Sequence, residues 1–166
     1  MSDQEWHWLA RTAEETEHLG ASLARAVPET TEAPAVVYLS GELGAGKTTL
    51  ARGFLRASGF AGVVRSPTYT LLECYEVSGQ RQVVHMDLFR LNEPRELEAL
   101  GARDLARPAH IWLVEWPERG AGHLPAPDLV VELRVTPRGH EANFRVGSAA
   151  GRVWLHDTVE LQREGT

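Results

Sequence analysis

One cysteine, Cys74, leaves the chain without a partner for an internal disulfide, and no C-x-x-C or H-x-x-x-H pair marks a zinc site. The thiol is expected to be packed, and a reducing, cytoplasmic compartment fits such cysteine usage. No apolar run approaches the ~20 residues that a membrane helix needs. The opening stretch, Met1 to Leu19, is polar and acidic, unlike a signal peptide. Positive charge is in deficit: 17 Lys and Arg stand against 23 Asp and Glu, a net charge of -6. The molecule as a whole is therefore not drawn to nucleic acid. Internal repeats, low-complexity tracts and long heptads are also missing. What remains is 166 residues, 43% of them hydrophobic, enough for one domain over 1–166 with a sizeable core.

Local patterns predict the elements. Trp6 and Trp8 alternate with polar residues, as on a half-buried strand. The run "TAEE" reads as a capping box with Thr12 as N-cap and Glu15 three residues on, opening a helix whose Leu19, Leu23 and Val27 form one stripe up to Pro28. Val36 to Leu39 suit a strand buried on both faces, and Leu50 to Leu55 carry helical spacing. Tyr69 to Glu76 and Val83 to Met86 are expected to pair as a hairpin about the turn "VSGQ". Pro94 suits a first helical turn, with Leu97 and Leu100 inward and Gly101 as the stop. "HIWLVEW" and Leu129 to Val135 read as buried strands, "TPRGHE" as a turn, and Phe144 to Val146 and Val153 to Leu155 as closing antiparallel strands. Helices alternating with strands early and paired strands later give an α/β class with a mixed, mostly parallel central sheet and C-terminal antiparallel strands.

The informative stretch is "AVVYLSGELGAGKTTLARGFL". Within it, "GELGAGKT" matches G-x-x-x-x-G-K-[ST] at Gly41, Gly46, Lys47 and Thr48. Glycines at 41, 44 and 46 permit a bent backbone whose N–H groups converge on phosphate oxygens. The helix starting near Lys47 adds its positive end. Lys47 supplies a point charge for the β- and γ-phosphates, and the Thr48 hydroxyl can ligate Mg2+. A buried strand before the loop and a helix after it supply the context that the motif requires.

Hydrolysis also needs an acid facing the loop. Asp87 ends "VVHMD" and Glu115 ends "IWLVE"; acids at the carboxyl ends of parallel strands point toward the ligand crevice. Glu115 is the first choice to hold or polarise the metal–water cluster and Asp87 the second, although aspartate is the usual residue there. The segment "SPTYT", Ser66 to Thr70, offers a switch in which Thr68 meets the γ-phosphate or a metal-bound water. Trp116 could shield the site from water. His85 and Arg90, which flank Asp87, read as structural.

Taken together and in order, "GELGAGKTTLARGFL", "SPTYTLLECYE", "HMDLFRL", "ELEALGARDL" and "LVEWPERG" resemble the bacterial TsaE (YjeE) ATPase family, across roughly two-thirds of the chain from about Leu19 to Pro127. The resemblance implies a P-loop NTPase fold that binds and hydrolyses ATP with Mg2+, slowly alone. It further implies support for N6-threonylcarbamoyladenosine synthesis on tRNAs reading ANN codons, with the TsaB–TsaD pair as partner and tRNA met only through that complex. On this pattern the loop Gly41, Glu42, Leu43, Gly44, Ala45, Gly46, Lys47, Thr48 and Thr49 would bind the phosphates. Thr48, Glu115 and Asp87 would serve the metal, Ser66 to Tyr69 would be the switch containing Thr68, and Trp116 would lie beside the site. The chain departs from the family pattern at Glu42, Phe89 and His140, where relatives commonly carry Asp, Tyr and Arg.

Two other readings compete. A small-molecule kinase would need an arginine-rich lid, and Arg103, Arg107 and Arg119 are scattered. A nucleotide-gated binding module would not need the acid pair. For hydrolysis, Arg52, Arg56, Arg65 and Arg90 are candidate arginine fingers in cis.

Overall fold

The computed structural model describes residues 5–30, 32–65, 67–77, 79 and 81–165. Among these residues seven strands form one sheet: β1 (Trp6–Ala10), β2 (Ala35–Ser40), β3 (Leu72–Val77), β4 (Arg81–Asp87), β5 (His110–Glu115), β6 (Leu129–Thr136) and β7 (Gly139–Val146). Their spatial order is β1-β7-β6-β2-β5-β4-β3. The central strands β6, β2, β5 and β4 run parallel. Antiparallel partners flank them, β7 and β1 on one side and β3 on the other. The fold is α/β with a mixed, mostly parallel central sheet, as the strand and helix pattern predicts.

Both faces of the parallel strands are covered, which explains their near-continuous apolar runs. On one face Val37, Leu39, Val83, Ile111, Leu113, Leu129 and Val131 pack with Leu19 and Leu23 of α1 (Ala13–Arg25), Leu50 and Phe54 of α2 (Lys47–Ala57), and Trp154 and Leu155 of α4 (Ala149–Glu164). On the other, Val36, Val84, Met86, Trp112 and Val114 pack with Leu97 of the single-turn helix α3 (Glu96–Ala99) and with Leu88, Leu91 and Ala102. Helices α1 and α2 approach closely: a side chain at Gly20 would collide with the Leu50 carbonyl, and one at Gly53 with that of Glu17. This contact seats the helix that follows the glycine loop.

Thr12 caps α1 by accepting the Glu15 N–H at 3.2 Å. Glu15 reaches back to the Arg11 N–H at 2.6 Å, one residue before the cap itself. The helix stops at Arg25, so Val27 joins the core from the following loop rather than from the helical stripe.

Five local expectations are corrected. Val153 to Leu155 do not form a strand; they lie in α4, capped by Ser148, whose hydroxyl accepts the Gly151 N–H. Adjacent Trp154 and Leu155 are both buried, together with Thr158 and Gln162, a helical spacing that a three-residue apolar run cannot reveal. Leu100 is exposed, because α3 makes only one turn and gives its single core position to Leu97. Tyr69 to Leu71 precede β3 as a turn with Leu71 at φ 66. Cys74 is exposed, since β3 is an edge strand that turns Tyr75 to the core and its neighbour to solvent. The "TPRGHE" turn is confined to Pro137 and Arg138, and Gly139 to Glu141 already belong to β7. Within "VSGQ", Ser78 and Gln80 lie outside the described residues, while β3 and β4 do pair antiparallel.

Candidate functional site

Strand β2 ends in the glycine loop, and α2 begins where the loop closes. Gly41, Gly44 and Gly46 have φ of 139, 79 and 108, the region that only glycine enters without strain. At Gly41 the constraint is double, because a Cβ would also strike the Leu133 carbonyl of β6. Ala45 is buried and donates its N–H to the Glu42 carbonyl at 3.1 Å, folding the loop on itself, while Leu43 projects at the tip. The loop leaves free N–H groups at the N-terminus of α2, a setting for anionic oxygen.

Lys47, only 5% exposed, lies across the loop. Its ammonium donates to the carbonyls of Gly41 at 2.5 Å and Glu42 at 2.8 Å, and its Nζ sits 4.4 Å from the centre of the Trp116 ring. Burial pushes its pKa down, while the charges of Glu115, Asp87 and Glu118 pull the other way. Trp116 has φ 57, an uncommon backbone for a tryptophan, and its ring packs 5.0 Å from that of Phe89. It therefore contacts the loop lysine directly.

The parallel register places the two acids side by side. Leu39 of β2 pairs with Glu115 of β5, and Glu115 with Asp87 of β4. Glu115 is 2% and Asp87 6% exposed, so both are buried acids at strand ends. The Thr48 hydroxyl donates to Glu115 Oε1 at 3.0 Å. His85 Nε2 meets the other oxygen, Oε2, at 2.7 Å. Asp87 accepts the Phe89 N–H at 3.1 Å and the Thr68 hydroxyl at 3.1 Å. Thr68, expected as part of a switch, is thus joined to Asp87. Ser66, at the start of that segment, lies outside the described residues.

Lys47, Thr48, Thr68, Asp87, Phe89, Glu115 and Trp116 line a cleft of about 440 Å³, which also takes in Gly44, Gly46, Thr49, Arg90 and His140, whereas His85 is not part of the lining. Gly41, Glu42 and Ala45 stand behind it as the loop's frame. His140 of β7 bonds the Ala45 carbonyl through Nδ1 at 2.7 Å, so it braces the loop from the neighbouring strand. A wider hollow of about 820 Å³ lies between the end of α1 and α4, away from all of these groups. Among the four candidate arginines, Arg52 and Arg56 pair with Glu17 on α1. Arg65 lies outside the cleft lining, and Arg90 lines it, stacked 4.5 Å over the exposed Tyr69 ring.

His85 is the residue that reading along the sequence missed. It is fully buried, and its partner lies 30 positions away on another strand. The available signal was its place two residues before Asp87, hence on the same strand face.

A glycine loop between a buried parallel strand and a helix, with its lysine and hydroxyl facing acids on neighbouring strand ends, defines the P-loop class of α/β fold. The family model described as threonylcarbamoyl adenosine biosynthesis protein TsaE matches residues 10–143, and the chain belongs to that family. A Haemophilus influenzae protein named tRNA threonylcarbamoyladenosine biosynthesis protein TsaE is 50% identical over 103 residues, 62% of this chain and 65% of that protein, slightly under two-thirds of its length. The protein of the same name from Treponema pallidum is 33% identical over 132 residues, 80% of this chain and 93% of that one. The crystal structure of Bacillus subtilis YdiB shares the fold, with a TM-score of 0.72 and 23% identity over 98% of this chain and 99% of that one. Among the described residues, no helix is long and apolar enough to cross a membrane.

Proposed function

We propose that this chain binds MgATP in the cleft and hydrolyses it, slowly by itself, in support of tRNA N6-threonylcarbamoyladenosine synthesis with the TsaB–TsaD pair. The observation that carries the reading is the convergence of Lys47, Thr48, Glu115 and Asp87 on one cleft at the ends of β2, β4 and β5. The choice of ATP and of the partner pair is part of the proposal and rests on the family resemblance read from the sequence motifs; the matched family description itself names threonylcarbamoyl adenosine biosynthesis. Contact with tRNA is through the complex, consistent with the net charge of -6.

The donor set suits Mg2+. The Thr48 hydroxyl and Glu115 Oε1 are 3.0 Å apart, and Asp87 pairs with Glu115 on the next strand, so hard oxygen donors of three side chains border the same cleft. Among the described residues no cluster of three or more His, Cys, Asp or Glu side chains forms a metal cage. Mg2+ bound here would therefore keep waters and rely on phosphate oxygens for the rest of its shell. When bound, Mg2+ neutralises charge that develops on the β- and γ-phosphate oxygens.

The chain's own groups then divide the work. The Lys47 ammonium exchanges the Gly41 and Glu42 carbonyls for phosphate oxygens, and the loop N–H groups hold the remaining charge. Glu115 orients and polarises a water in line with the γ-phosphorus. As the water oxygen bonds to phosphorus, the bond to the β–γ bridging oxygen breaks and its electron pair leaves on ADP, while the water's proton passes to a γ-phosphate oxygen, giving inorganic phosphate. Thr68, now on Asp87, is placed to follow the γ-phosphate, and Trp116 with Phe89 restricts water on the lysine side.

The test is phosphate release from MgATP with and without added TsaB–TsaD, repeated with Glu115→Ala. Stimulation by the pair and silence of the variant support the reading. An unchanged rate with the pair would count against the family role, and a phosphorylated acceptor in place of free phosphate would favour a kinase.

A further inference from the structure

We propose that His85 is a positioning residue for Glu115, holding one carboxylate oxygen so that the other is presented to Thr48 and the cleft; this rests on the hydrolytic reading above. The argument begins with strand parity. In the β4–β5 register Val83 pairs with Ile111, His85 with Leu113 and Asp87 with Glu115, so all six positions share the face covered by α2. On that face Val37, Leu39, Val83, Ile111, Leu113, Leu129 and Val131 form an apolar core, and a histidine with no exposed surface beside them needs a partner. Its partner is Glu115 Oε2, at 2.7 Å between two side chains that are 0% and 2% exposed.

The other ring nitrogen settles the direction of that bond. His85 Nδ1 is buried and has no hydrogen-bond partner among the described residues. A buried N–H without an acceptor is costlier than a lone pair without a donor, so the hydrogen-bond pattern assigns the proton to Nε2, which donates to the carboxylate. Glu115 is then gripped at two points, Nε2–H of His85 on Oε2 and the Thr48 hydroxyl on Oε1. Without the first grip, rotation about the last side-chain torsion, a broad one, releases the carboxylate from a single orientation. Groups that orient metal-ligating side chains in this way are commonly worth 10–100-fold in affinity or activity.

Two substitutions separate positioning from packing. His85→Leu fills the space without a donor, whereas His85→Gln places an amide N–H near the former Nε2. With circular dichroism as a check on folding, partner-stimulated phosphate release should fall about 10–100-fold in His85→Leu, in kcat rather than KM. In His85→Gln it should return to within a few-fold of wild type. Equal losses in both variants would reduce His85 to a packing residue, and a wild-type rate in His85→Leu would end the proposal. A second readout needs no turnover: nitrogen chemical shifts of the His85 ring in the nucleotide-free protein should report a proton on Nε2 and should move in Glu115→Gln. A proton on Nδ1, or shifts indifferent to Glu115→Gln, would overturn the assignment. If the wild-type protein releases no phosphate even with its partners, the hydrolytic reading fails, and the ring spectrum alone decides the His85–Glu115 contact.

Discussion

On β4 the side chains of Val84 and Met86 go to one face of the sheet, and those of Val83, His85 and Asp87 to the other. On β5, Trp112 and Val114 part in the same way from Ile111, Leu113 and Glu115. At Val84, Met86, Trp112 and Val114 the first face is apolar, and it is covered by Leu97, Leu88 and Leu91. The second is just as apolar at its middle, then turns polar over the last residues of each strand, where α2 begins. The same strands thus stabilise the fold on one face and present the candidate site on the other. The division is possible because neighbouring residues of a strand point to opposite sides.

The largest effect should come from the apolar face. Trp112→Ala removes a fully buried ring and should cost about 3–5 kcal/mol of stability by chemical denaturation. Below its melting temperature, the variant should bind nucleotide as wild type does. A parallel loss of nucleotide affinity would mean that the two faces are coupled.

On the polar face, Glu115→Ala should keep MgATP binding and lose at least about 2.7 kcal/mol of transition-state stabilisation, or ~100-fold in phosphate release. Near-normal turnover would remove Glu115 from the reacting groups. Lys47→Ala should act on binding instead, lowering ATP affinity by about 1.5–3 kcal/mol in a calorimetric titration, as expected for a charge-assisted hydrogen bond. An unchanged affinity would show that the loop N–H groups suffice. The smallest effect belongs to the sheet edge: Cys74→Ser should shift stability by no more than about 0.5 kcal/mol. A thiol reagent should label Cys74 in the native protein, and labelling only after unfolding would restore a packed thiol.

Lys47, Thr48 and the glycines were legible because the phosphate loop is local: its atoms come from eight consecutive residues whose spacing carries the geometry. Glu115 and Asp87 could be nominated as acids ending apolar runs. Their adjacency could not, since it depends on parallel register between strands separated by α3 and its flanking turns. The histidine at 85 looked structural for the same reason. The candidate arginines show the limit from the other side, since four were equivalent along the chain. Glu17 on α1 draws off Arg52 and Arg56, leaving Arg90 in the cleft lining. The misassigned Val153 to Leu155 failed differently: three apolar residues are too few to separate a period of 2.0 from 3.6, and contact with α1 and β7 resolves it.

By itself, the sequence determined the α/β class, the phosphate loop with its lysine and hydroxyl, and the family. Each of these depends on residues near one another along the chain or on motifs in a set order. Tertiary structure decided which acid meets Thr48, which histidine grips that acid, and which arginine faces the cleft. Those choices depend on strand register and helix packing, where groups tens of residues apart come within 3 Å of each other and burial sets the cost of leaving any of them unpaired.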